Sequence, residues 1–423
     1  MTDSHSYHNV RTRAATRRYW WVVLGLFAVF AIIGYASGPF TVVSDGIEYV
    51  TMAQHLLHAG AFTYDGVHPV VGKPPGFSFL LAAYLAVFGS LDGFRIVQLV
   101  LLFSSFLFVA ESLRLFGRPG LALASLALLS GAWPLHVITA HPFSEPLFFA
   151  LVSFGLYALL RTFQRPRAPW IILTGIVFAL ATYVRPVTIV WPFVLLVAIL
   201  IGRRQRWRMG VAIVAVFLVV VAPWIVRTYR ITGRVVPMVA NYAPLYYMSD
   251  EALWQVYYFE GSRAVRGKED YLAITDGEFQ FNWEPNRRFA ELAYANIGAH
   301  FPPYIGRCFR QMAFAWTYLP RTKEWHERSP GLFQLGRVVM AGFYALTVFG
   351  LIVLWRRHRE FVLISVAFTA STALVLFPVC TESRYLLPAY MWLLPATIVG
   401  VATIFERGRA RVISGRRASP SDA

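Results

Sequence analysis

The sequence predicts an all-α polytopic membrane protein, and three observations carry that prediction. Of the 423 residues, 57% are hydrophobic and only 14% are charged, and the mean hydropathy is +0.52. A soluble chain of this length exposes far more charge. Apolar runs of roughly 16–22 residues, long enough for a membrane-crossing helix, recur along the chain. The net charge of +17 lies mostly in short arginine clusters beside those runs, which is typical of cytoplasmic span ends and argues against nucleic-acid binding.

Ten apolar runs are candidate spans. The first, Trp20 to Gly38, follows a basic tail over 1–19. Because this run is longer than a signal-peptide core and has no obvious small-residue cleavage site, we expect a retained first span. The other nine candidates cover approximately 94–111, 119–140, 144–161, 169–184, 187–202, 209–226, 333–355, 361–378 and 386–404.

The arginine-rich turns between these runs set the expected orientation. If the turns and the basic N-terminus are cytoplasmic, the segments between them face outside. This alternation holds only if 76–90 does not cross the bilayer. Its apolar stretch would span about 18 Å, against a hydrocarbon core of about 30 Å. We therefore expect an interfacial or re-entrant helix there, about ten spans in all, and both termini inside.

This topology divides the chain into successive parts. They are a cytoplasmic tail (1–19), an N-terminal membrane module (20–226) with a first external loop (39–93), a long external loop (227–332), C-terminal spans (333–404) and a basic cytoplasmic tail (405–423). The long external loop is too varied in composition for a disordered linker, so we expect it to be ordered.

The end of the long external loop predicts an amphipathic helix lying on the membrane. Arg307 and Arg310 lie off an apolar stripe that recurs at helical spacing. That stripe comprises Ile305, Phe309, Met312, Ala313 and Trp316. The two cysteines, Cys308 and Cys380, have no metal-ligand spacing; both are expected outside, and a bridge between them is left open.

Two charged residues of the 39–93 loop are candidates for chemistry, because charge at membrane depth is costly and usually functional. Asp45 precedes a short helix that ends near Gly60, with an apolar face expected at Ile47, Val50, Ala53 and Leu57. Asp45 is either the N-cap of that helix or a general base with a raised pKa, and both can hold together. Lys73 either snorkels or, stiffened by the two prolines that follow it, holds a lipid phosphate.

A later external turn offers a third carboxylate. Glu145 opens a span directly after Ser144. The helix dipole and a capping serine explain a carboxylate there, and a catalytic role is the alternative. His141 in the same turn is a weaker candidate, and no further side chains at metal-ligand spacing accompany it.

Two arginines lie at external turns, the side that the positive-inside rule disfavours. Arg185 has almost no polar neighbour in sequence, and Arg384 could simply pair with Glu382. A guanidinium recognises phosphate or carboxylate through paired hydrogen bonds. Together with Lys73, these cations lie at the outer ends of three different spans, which indicates an anion-binding site.

Taken in order on this topology, these residues resemble the GT-C superfamily of polytopic glycosyltransferases. The resemblance is greatest to bacterial relatives of dolichyl-phosphate-mannose protein mannosyltransferases and to lipid A aminoarabinose transferases, and it extends over residues 20 to 404. The matching motifs are Asp45 with Tyr49, Lys73-Pro74-Pro75, Ser144-Glu145, Arg185-Pro186, A-P-W-I-V-R-T-Y at 222–229 with Gly233 and Asn241 beyond it, and R-Y-L-L-P at 384–388.

One position departs from the family's pattern. The family's aspartate is commonly followed by glutamate, and here Gly46 stands in that place. Glu48 lies three residues after Asp45 and so would share its side of a helical turn. We therefore consider Glu48 the candidate to replace the missing acid.

The resemblance implies a GT-C-like bundle with interfacial helices and external loops, placed in a bacterial inner membrane. It also implies an inverting transfer of a sugar from a polyprenyl-phosphate donor to a glycan, glycolipid or protein acceptor at the outer face. The implied catalytic residues are Asp45, Glu145 and Glu48. The implied substrate- and phosphate-binding residues are Lys73, Arg185, Arg384, Tyr49 and His141. No metal or other cofactor is expected, because a lipid monophosphate carries no diphosphate to neutralise.

Two other functions compete with this one. A transporter or flippase of a lipid-linked sugar would use the same outer cations, but transporters usually show internal repeats and polar residues near mid-membrane. The spans here are nearly free of ionisable residues at their centres, which favours the enzyme. A structural subunit with a degenerate site gains some support from Gly46.

Overall fold

The computed structural model describes residues 3–36, 38–131, 133–202, 204–260, 265–317, 330–379 and 386–417. Within those ranges the regular elements are 18 α-helices and three short 3-10 helices. Extended backbone pairs there at two isolated bridges, Thr63 with Pro69 and Val70 with Asn282. The prediction of an all-helical fold is confirmed.

The helices are numbered here in chain order. The first ten are α1 (Asp3–Ala36), α2 (Asp45–Ala59), α3 (Gly76–Phe88), α4 (Phe94–Leu115), α5 (Pro119–Ser130), α6 (Trp133–Val137), α7 (Glu145–Gln164), α8 (Ala168–Val184), α9 (Trp191–Gly202) and α10 (Trp207–Thr232). The remaining eight are α11 (Ala243–Ser249), α12 (Glu251–Glu260), α13 (Glu269–Thr275), α14 (Trp283–Ala299), α15 (Phe301–Thr317), α16 (Pro330–Trp355), α17 (Arg359–Leu376) and α18 (Leu387–Arg417). The 3-10 helices cover Ile138–Ala140, Pro186–Val190 and Arg204–Arg206.

Six of the described helices are long and apolar enough to cross a membrane. They are α1 over Tyr19–Ala36, α4, α7, α10, α16 over Gln334–Trp355, and α17. The shorter apolar helices are α3, α5, α8 and the run Pro186–Ile201 that includes α9. Six predicted spans are therefore helices of spanning length, and the count of ten stays a prediction.

One predicted span is interrupted. The run 119–140 is divided among α5, α6 and the 3-10 helix that follows α6. Helix α5 ends at Ser130, and Pro134 is the second residue of α6. Proline has no backbone N–H, so Pro134 cannot donate to the carbonyl four residues earlier, that of Ser130, and a continuous helix is broken at the end of α5.

Aromatic side chains fill the centre of the helical bundle. Trp191 of α9 stacks on Phe368 of α17 with ring centres 4.7 Å apart, and Trp392 of α18 meets Trp191 edge-on at 5.7 Å. All three rings are buried. Such pairs combine a large buried apolar area with favourable ring geometry, so they join three helices at one point.

Helices α16 and α18 cross with almost no space between their backbones. A Cβ added at Gly350 would overlap the carbonyl group of Ala396. One turn away, the hydroxyls of Thr347 and Thr397 lie 2.7 Å apart. Close backbone approach and a neutral hydrogen bond are typical of helices that pack without charge in a membrane.

The helices between 243 and 317, α11 to α15, form a packed unit that we call the helical lobe. Its core includes Tyr247, Tyr271 and Phe289. This portion of the long loop is ordered, as predicted. The predicted amphipathic helix exists as α15, in which Phe309 of the apolar stripe is exposed and Arg307, off that stripe, is buried.

Helices α2 and α3 connect the lobe with the bundle. Helix α2 ends at Ala59, followed by Gly60 with a φ of 64°, a left-handed conformation that suits glycine. Helix α3 has 13 residues and stops at Gly89 with a φ of 71°. That length agrees with a segment that does not cross the bilayer.

Candidate active site

Helix α2 begins with the proposed base. Its first residue is Asp45, and Ser44 occupies the N-cap position with a φ of 52° and no side-chain capping hydrogen bond. The interpretation of Asp45 as the N-cap is therefore wrong. Its carboxylate belongs to the first turn, where the helix dipole favours a negative charge.

The inward face of α2 differs from the predicted one. Ile47 and Leu57 are exposed, whereas Glu48 and Tyr49 are buried. The ring of Tyr49 packs edge-on against Phe77 of α3, with ring centres 5.1 Å apart. Because α3 offers an aromatic surface, α2 turns a phenol and a carboxylate inward in place of part of its aliphatic stripe.

A glycine lets α2 approach the turn before α7. A Cβ at Gly46 would lie 2.8 Å from Cγ of Pro142 and 3.3 Å from its carbonyl oxygen. The Thr41 N–H donates to the Ala140 carbonyl at 2.9 Å, and its hydroxyl lies 2.9 Å from Nδ1 of His141. A glutamate in place of this glycine would displace the proline, so the packing of α2 on this turn favours glycine. The half-buried His141 holds the two turns together.

Lys73 is the first of two buried cations in the candidate site. Only 5% of its surface is exposed, so the snorkelling interpretation is wrong. Its ammonium forms an ion pair with the buried carboxylate of Glu48. The ammonium also lies 4.5 Å from the ring centre of Tyr49 and 5.0 Å from that of Phe281. Attraction between a cation and a ring is strongest where water is excluded.

The chain leading to Lys73 is threaded between two other segments. The N–H groups of Val71 and Gly72 both donate to the Phe281 carbonyl, at 2.9 and 2.8 Å. On the other side, the Ala240 N–H donates to the Val71 carbonyl at 2.9 Å. A Cβ at Gly72 would lie 2.8 Å from the Ala240 oxygen, so glycine permits this close approach.

A second buried ion pair joins α7 to the turn after α8. Nη2 of Arg185 lies 2.6 Å from Oε1 of Glu145, and both side chains are buried. The same Nη2 lies 3.5 Å from the hydroxyl of Ser144, which makes no capping hydrogen bond to α7. The guanidinium lies 5.5 Å from the ring centre of Phe148. Glu145 is thus a counter-ion as well as a first-turn carboxylate.

The start of α3 packs against the end of α8. A Cβ at Gly76 would lie 2.8 Å from the carbonyl carbon and oxygen of Tyr183. This contact holds the chain that follows Lys73 against the chain that precedes Arg185.

Tyr49 lies between the two ion pairs. Burial raises the pKa of its hydroxyl well above the ordinary value, and the negative charge of Asp45 raises the pKa further. The positive charge of Arg185 and a hydrogen bond with Ser144 act in the opposite direction. These influences require the hydroxyl to lie near both charges, while the ammonium of Lys73 lies over the ring. One side chain therefore connects both halves of the site.

Most of the predicted site residues meet in this region. They are Asp45, Glu48, Tyr49, Lys73, Glu145 and Arg185. His141 belongs to the neighbouring turn. Arg384 and Glu382 lie outside the described residues, as does Cys380, so the bridge left open for the buried Cys308 stays untested.

The structure adds a cation that sequence reasoning missed. Nη1 of Arg266 lies 3.4 Å from Oε1 of Glu48. With the Gln280 amide turned so that its oxygen faces this guanidinium, the amide accepts a hydrogen bond at 2.7 Å and donates to Tyr271 at 2.6 Å. No sequence signal identifies Arg266, because it stands among other charged residues and its carboxylate partner lies 218 positions earlier.

The described site therefore contains equal numbers of acidic and basic groups. Any anion that bound here would compete with Glu48 and Glu145 for their cations. Because these pairs are largely removed from water, their charge interactions are stronger than those at a surface. Among the residues that the structure describes, no three His, Cys, Asp or Glu side chains converge as a metal ion would require.

Residues 72–226 match the family described as Dolichyl-phosphate-mannose-protein mannosyltransferase. This stretch begins beside Lys73, contains Glu145 and Arg185, and ends within α10. A search of curated proteins by sequence found no match.

Solved structures share the fold at low sequence identity. The archaeal oligosaccharyltransferase AglB from Archaeoglobus fulgidus, solved with an inhibitory peptide and a dolichol-phosphate, is 11% identical with a TM-score of 0.52. That match covers 96% of this chain but only 53% of AglB, so this protein spans about half of its length.

ArnT from Cupriavidus metallidurans is also similar. Its apo structure is 16% identical, with a TM-score of 0.44 over 91% of this chain and 78% of ArnT. Its structure bound to undecaprenyl phosphate is 16% identical, with a TM-score of 0.43 over 95% and 81%. Residues 72–226 therefore resemble this mannosyltransferase family, and the described helices share the fold of AglB.

Proposed function

We propose that this protein transfers a sugar from a polyprenyl-phosphate donor to an acceptor hydroxyl, with inversion at the anomeric carbon. The observation that carries the proposal is the arrangement of two buried cation–carboxylate pairs around Tyr49, next to Asp45. Charge buried at this cost is usually functional. The matched family is named for a dolichyl-phosphate-mannose donor, and AglB was solved with a dolichol-phosphate, which supports a polyprenyl phosphate as the carrier here.

Asp45 is the proposed general base. It takes the proton of the acceptor hydroxyl, and the acceptor oxygen bonds to the anomeric carbon on the face opposite the phosphate. The bond from that carbon to the phosphate oxygen breaks, and its electron pair stays on the departing polyprenyl phosphate. Glu48 and Glu145 suit this role less well, because each already faces a cation in an ion pair.

Lys73, Arg185 and Arg266 are proposed to stabilise the departing phosphate, with Arg384 as a further candidate. Negative charge on the phosphate is greatest in the transition state, so cations fixed beforehand lower the barrier. Glu48 and Glu145 hold those cations before the donor arrives. Tyr49 positions both pairs.

The site is proposed to face the outer side of a bacterial inner membrane, where the donor approaches from the lipid and the acceptor from solution. Glycans, glycolipids and proteins are the candidate acceptors. Reporter fusions test the orientation: a fusion at Gly267 is expected to report the exterior and one at Arg359 the cytoplasm. A cytoplasmic signal at Gly267 would overturn this placement.

The decisive experiment measures bond cleavage. The full-length protein in proteoliposomes is given a panel of undecaprenyl-phosphate hexoses together with cell-envelope acceptors. Release of undecaprenyl phosphate by the parent protein, and its loss in Asp45→Asn, is expected. Movement of intact donor between leaflets without cleavage would instead favour a transporter.

A further inference from the structure

The end of helix α10 next to the candidate site is rich in arginine. Arg227 and Arg230 lie in its last two turns, and Arg234 follows directly after the helix. The sequence contains no Asp or Glu between Glu145 and Asp250, so no carboxylate accompanies these arginines along the chain. Among the residues that the structure describes, none of the three arginines forms an ion pair. The helix dipole favours a cation at this end, but it does not explain three cations without a counter-ion.

Uncharged groups hold Arg227 in place. Its Nη1 donates to the Val70 carbonyl at 3.1 Å, and its Nη2 donates to the Phe62 carbonyl at 3.4 Å. Its guanidinium lies 4.4 Å from the ring centre of Trp224, one turn earlier on α10. A guanidinium has five N–H groups, so three of them have no acceptor among the described residues. Because the side chain is only half-buried, it presents donors that are fixed before a ligand arrives. Val70 lies three residues before Lys73, which places these donors beside the candidate site.

The arginines lie at the depth of lipid headgroups. Helix α10 has 26 residues and is one of the helices long and apolar enough to cross a membrane. At 1.5 Å per residue it is about 39 Å long. With Trp207 and Arg208 at the opposite boundary, its last two turns reach past a hydrocarbon core of about 30 Å. Beside the arginines, Val226 and Tyr229 are 47% and 51% exposed, as side chains next to acyl chains would be. The phosphates of the surrounding leaflet therefore lie within reach.

The two glutamates of the candidate site already have cations opposite them. Glu48 pairs with Lys73 and Arg266. Glu145 pairs with Arg185. A counter-ion supplied by the surrounding leaflet would satisfy the end of α10 without disturbing either pair. A phosphate group suits this position, because the planar fork of a guanidinium forms paired, charge-assisted hydrogen bonds with phosphate oxygens.

We propose that the end of α10 binds the phosphate of an anionic membrane lipid, of the phosphatidylglycerol class, between Arg227 and Arg230. Positions three apart on a helix are neighbours on its surface, so both guanidinium groups can reach one phosphate. The acyl chains of the lipid lie along Val226 and Tyr229. This site is separate from the cations proposed to hold the sugar donor. The proposal goes beyond the glycosyl-transfer function and does not depend on it.

Competitive photocrosslinking tests the proposal. Benzoylphenylalanine replaces Tyr229 in the full-length protein, which is reconstituted into nanodiscs of equal parts phosphatidylglycerol and phosphatidylcholine and irradiated. Mass spectrometry then gives the ratio of the two lipid adducts. We expect this ratio to exceed the bulk ratio by roughly five-fold or more, the factor that one arginine contributes near an anionic lipid surface. Benzoylphenylalanine in place of Val219, which is 73% exposed near the middle of α10, should give the bulk ratio.

Arginine variants locate the site. Replacement of the exposed Arg230 in Arg230→Gln should return the adduct ratio at position 229 toward the bulk value, and Arg227→Gln should have the same effect. Because Arg227 also supports two backbone carbonyls, Arg230→Gln is the variant on which the test rests. Arg287→Gln removes the same charge from an arginine that pairs with Glu284 and Glu291, and it should leave the ratio unchanged.

Three results would overturn the proposal. They are equal adducts of the two lipids in the parent protein, a preference for phosphatidylglycerol that survives Arg230→Gln, and loss of the preference in excess inorganic phosphate, which would reveal a site for free phosphate. The readout is lipid contact and not sugar transfer, so a negative result leaves the proposed function standing.

Discussion

The centre of the bundle and the candidate site both bury polar groups, but they do so with different chemistry. In the bundle, neutral groups pair across helices: Thr347 with Thr397 at 2.7 Å, and Nε1 of Trp191 with the hydroxyl of Thr372 at 3.2 Å. At the site, the paired groups are charged: Lys73 with Glu48, and Arg185 with Glu145.

The difference teaches which polar groups serve packing and which serve chemistry. A neutral hydrogen bond between helices satisfies both partners at little desolvation cost. A buried ion pair costs more to desolvate than its attraction returns in many proteins, so apolar residues of similar size would often be as stable. The bundle uses neutral hydrogen bonds, which cost little to desolvate, whereas the site uses buried ion pairs. The charged pairs are therefore best explained by function.

The largest expected effect separates catalysis from stability at the site. Asp45→Asn keeps the size of the side chain but removes its ability to accept a proton, so transfer should fall by about 10²–10⁴-fold. Donor binding should be unchanged, and thermal stability should fall only slightly, because the amide loses the favourable interaction with the dipole of α2. Asp92→Asn, at an exposed turn of the same loop, serves as the control and should transfer normally. Near-normal turnover in Asp45→Asn, with loss in Glu145→Gln, would move the base elsewhere.

The next effect concerns the free energy of unfolding. It tests whether the charged pairs of the site, unlike the neutral pairs of the bundle, are poor stabilisers of the fold. Glu48→Gln leaves Lys73 buried without its carboxylate, which should cost about 3–5 kcal/mol of unfolding free energy. Combining Glu48→Gln with Lys73→Met removes both charges and should recover most of that loss, while transfer stays low. Thermal unfolding in nanodiscs measures both variants. A double variant no more stable than the single one would show that the pair stabilises the fold directly.

Donor affinity should change by a smaller amount. Lys73→Met keeps the apolar stem but removes charge-assisted hydrogen bonds to phosphate, worth about 1.5–3 kcal/mol. That corresponds to roughly ten- to hundred-fold weaker donor binding. Lys73→Arg should restore donor binding only in part, because a planar guanidinium replaces a compact ammonium group. Exposed Lys268→Met is the matched control, and equal binding by both methionine variants would remove Lys73 from the phosphate site.

The smallest effect is expected in the bundle. Thr347→Val preserves shape and removes one hydroxyl, and Thr397 keeps a hydrogen bond to the Leu393 carbonyl at 3.2 Å. The unfolding free energy should fall by about 0.5–1.5 kcal/mol, and transfer should be unaffected. Loss of transfer comparable to that of the Lys73 variants would erase the distinction between the two regions.

Sequence alone predicted the class of fold well, because hydropathy and arginine placement report directly on membrane crossing. It missed the division of 119–140, since the apolar run is continuous but Pro134 cannot donate a helical hydrogen bond to the carbonyl of Ser130. It also turned α2 partly the wrong way. The aliphatic stripe with Ile47 was the obvious inward face, and the aromatic surface of Phe77 that draws Tyr49 inward comes from another helix.

The candidate site was predicted as a set of residues but not as a set of pairs. Short motifs identified Lys73 and Arg185, yet nothing in either motif indicates which carboxylate lies opposite. The pairing of Lys73 with Glu48 depends on close backbone approaches at Gly72 and Gly46, which are tertiary features. Arg266 had no signal at all, because it reaches the site only through the packing of the helical lobe.

The ion pair between Arg266 and Glu48 makes the charge interactions of the site depend on the position of the helical lobe. Glu48 forms ion pairs with both Lys73 and Arg266 of the lobe. Its Oε1 lies 3.4 Å from Nη1 of Arg266. Coulomb attraction weakens as charges separate, so an outward displacement of the lobe would leave the carboxylate to Lys73 and hold that ammonium more firmly. An inward displacement would compete for the carboxylate and release the ammonium toward a phosphate. The position of the lobe would thereby adjust how readily Lys73 engages the proposed lipid phosphate, through a carboxylate that lies 218 positions before Arg266 in sequence.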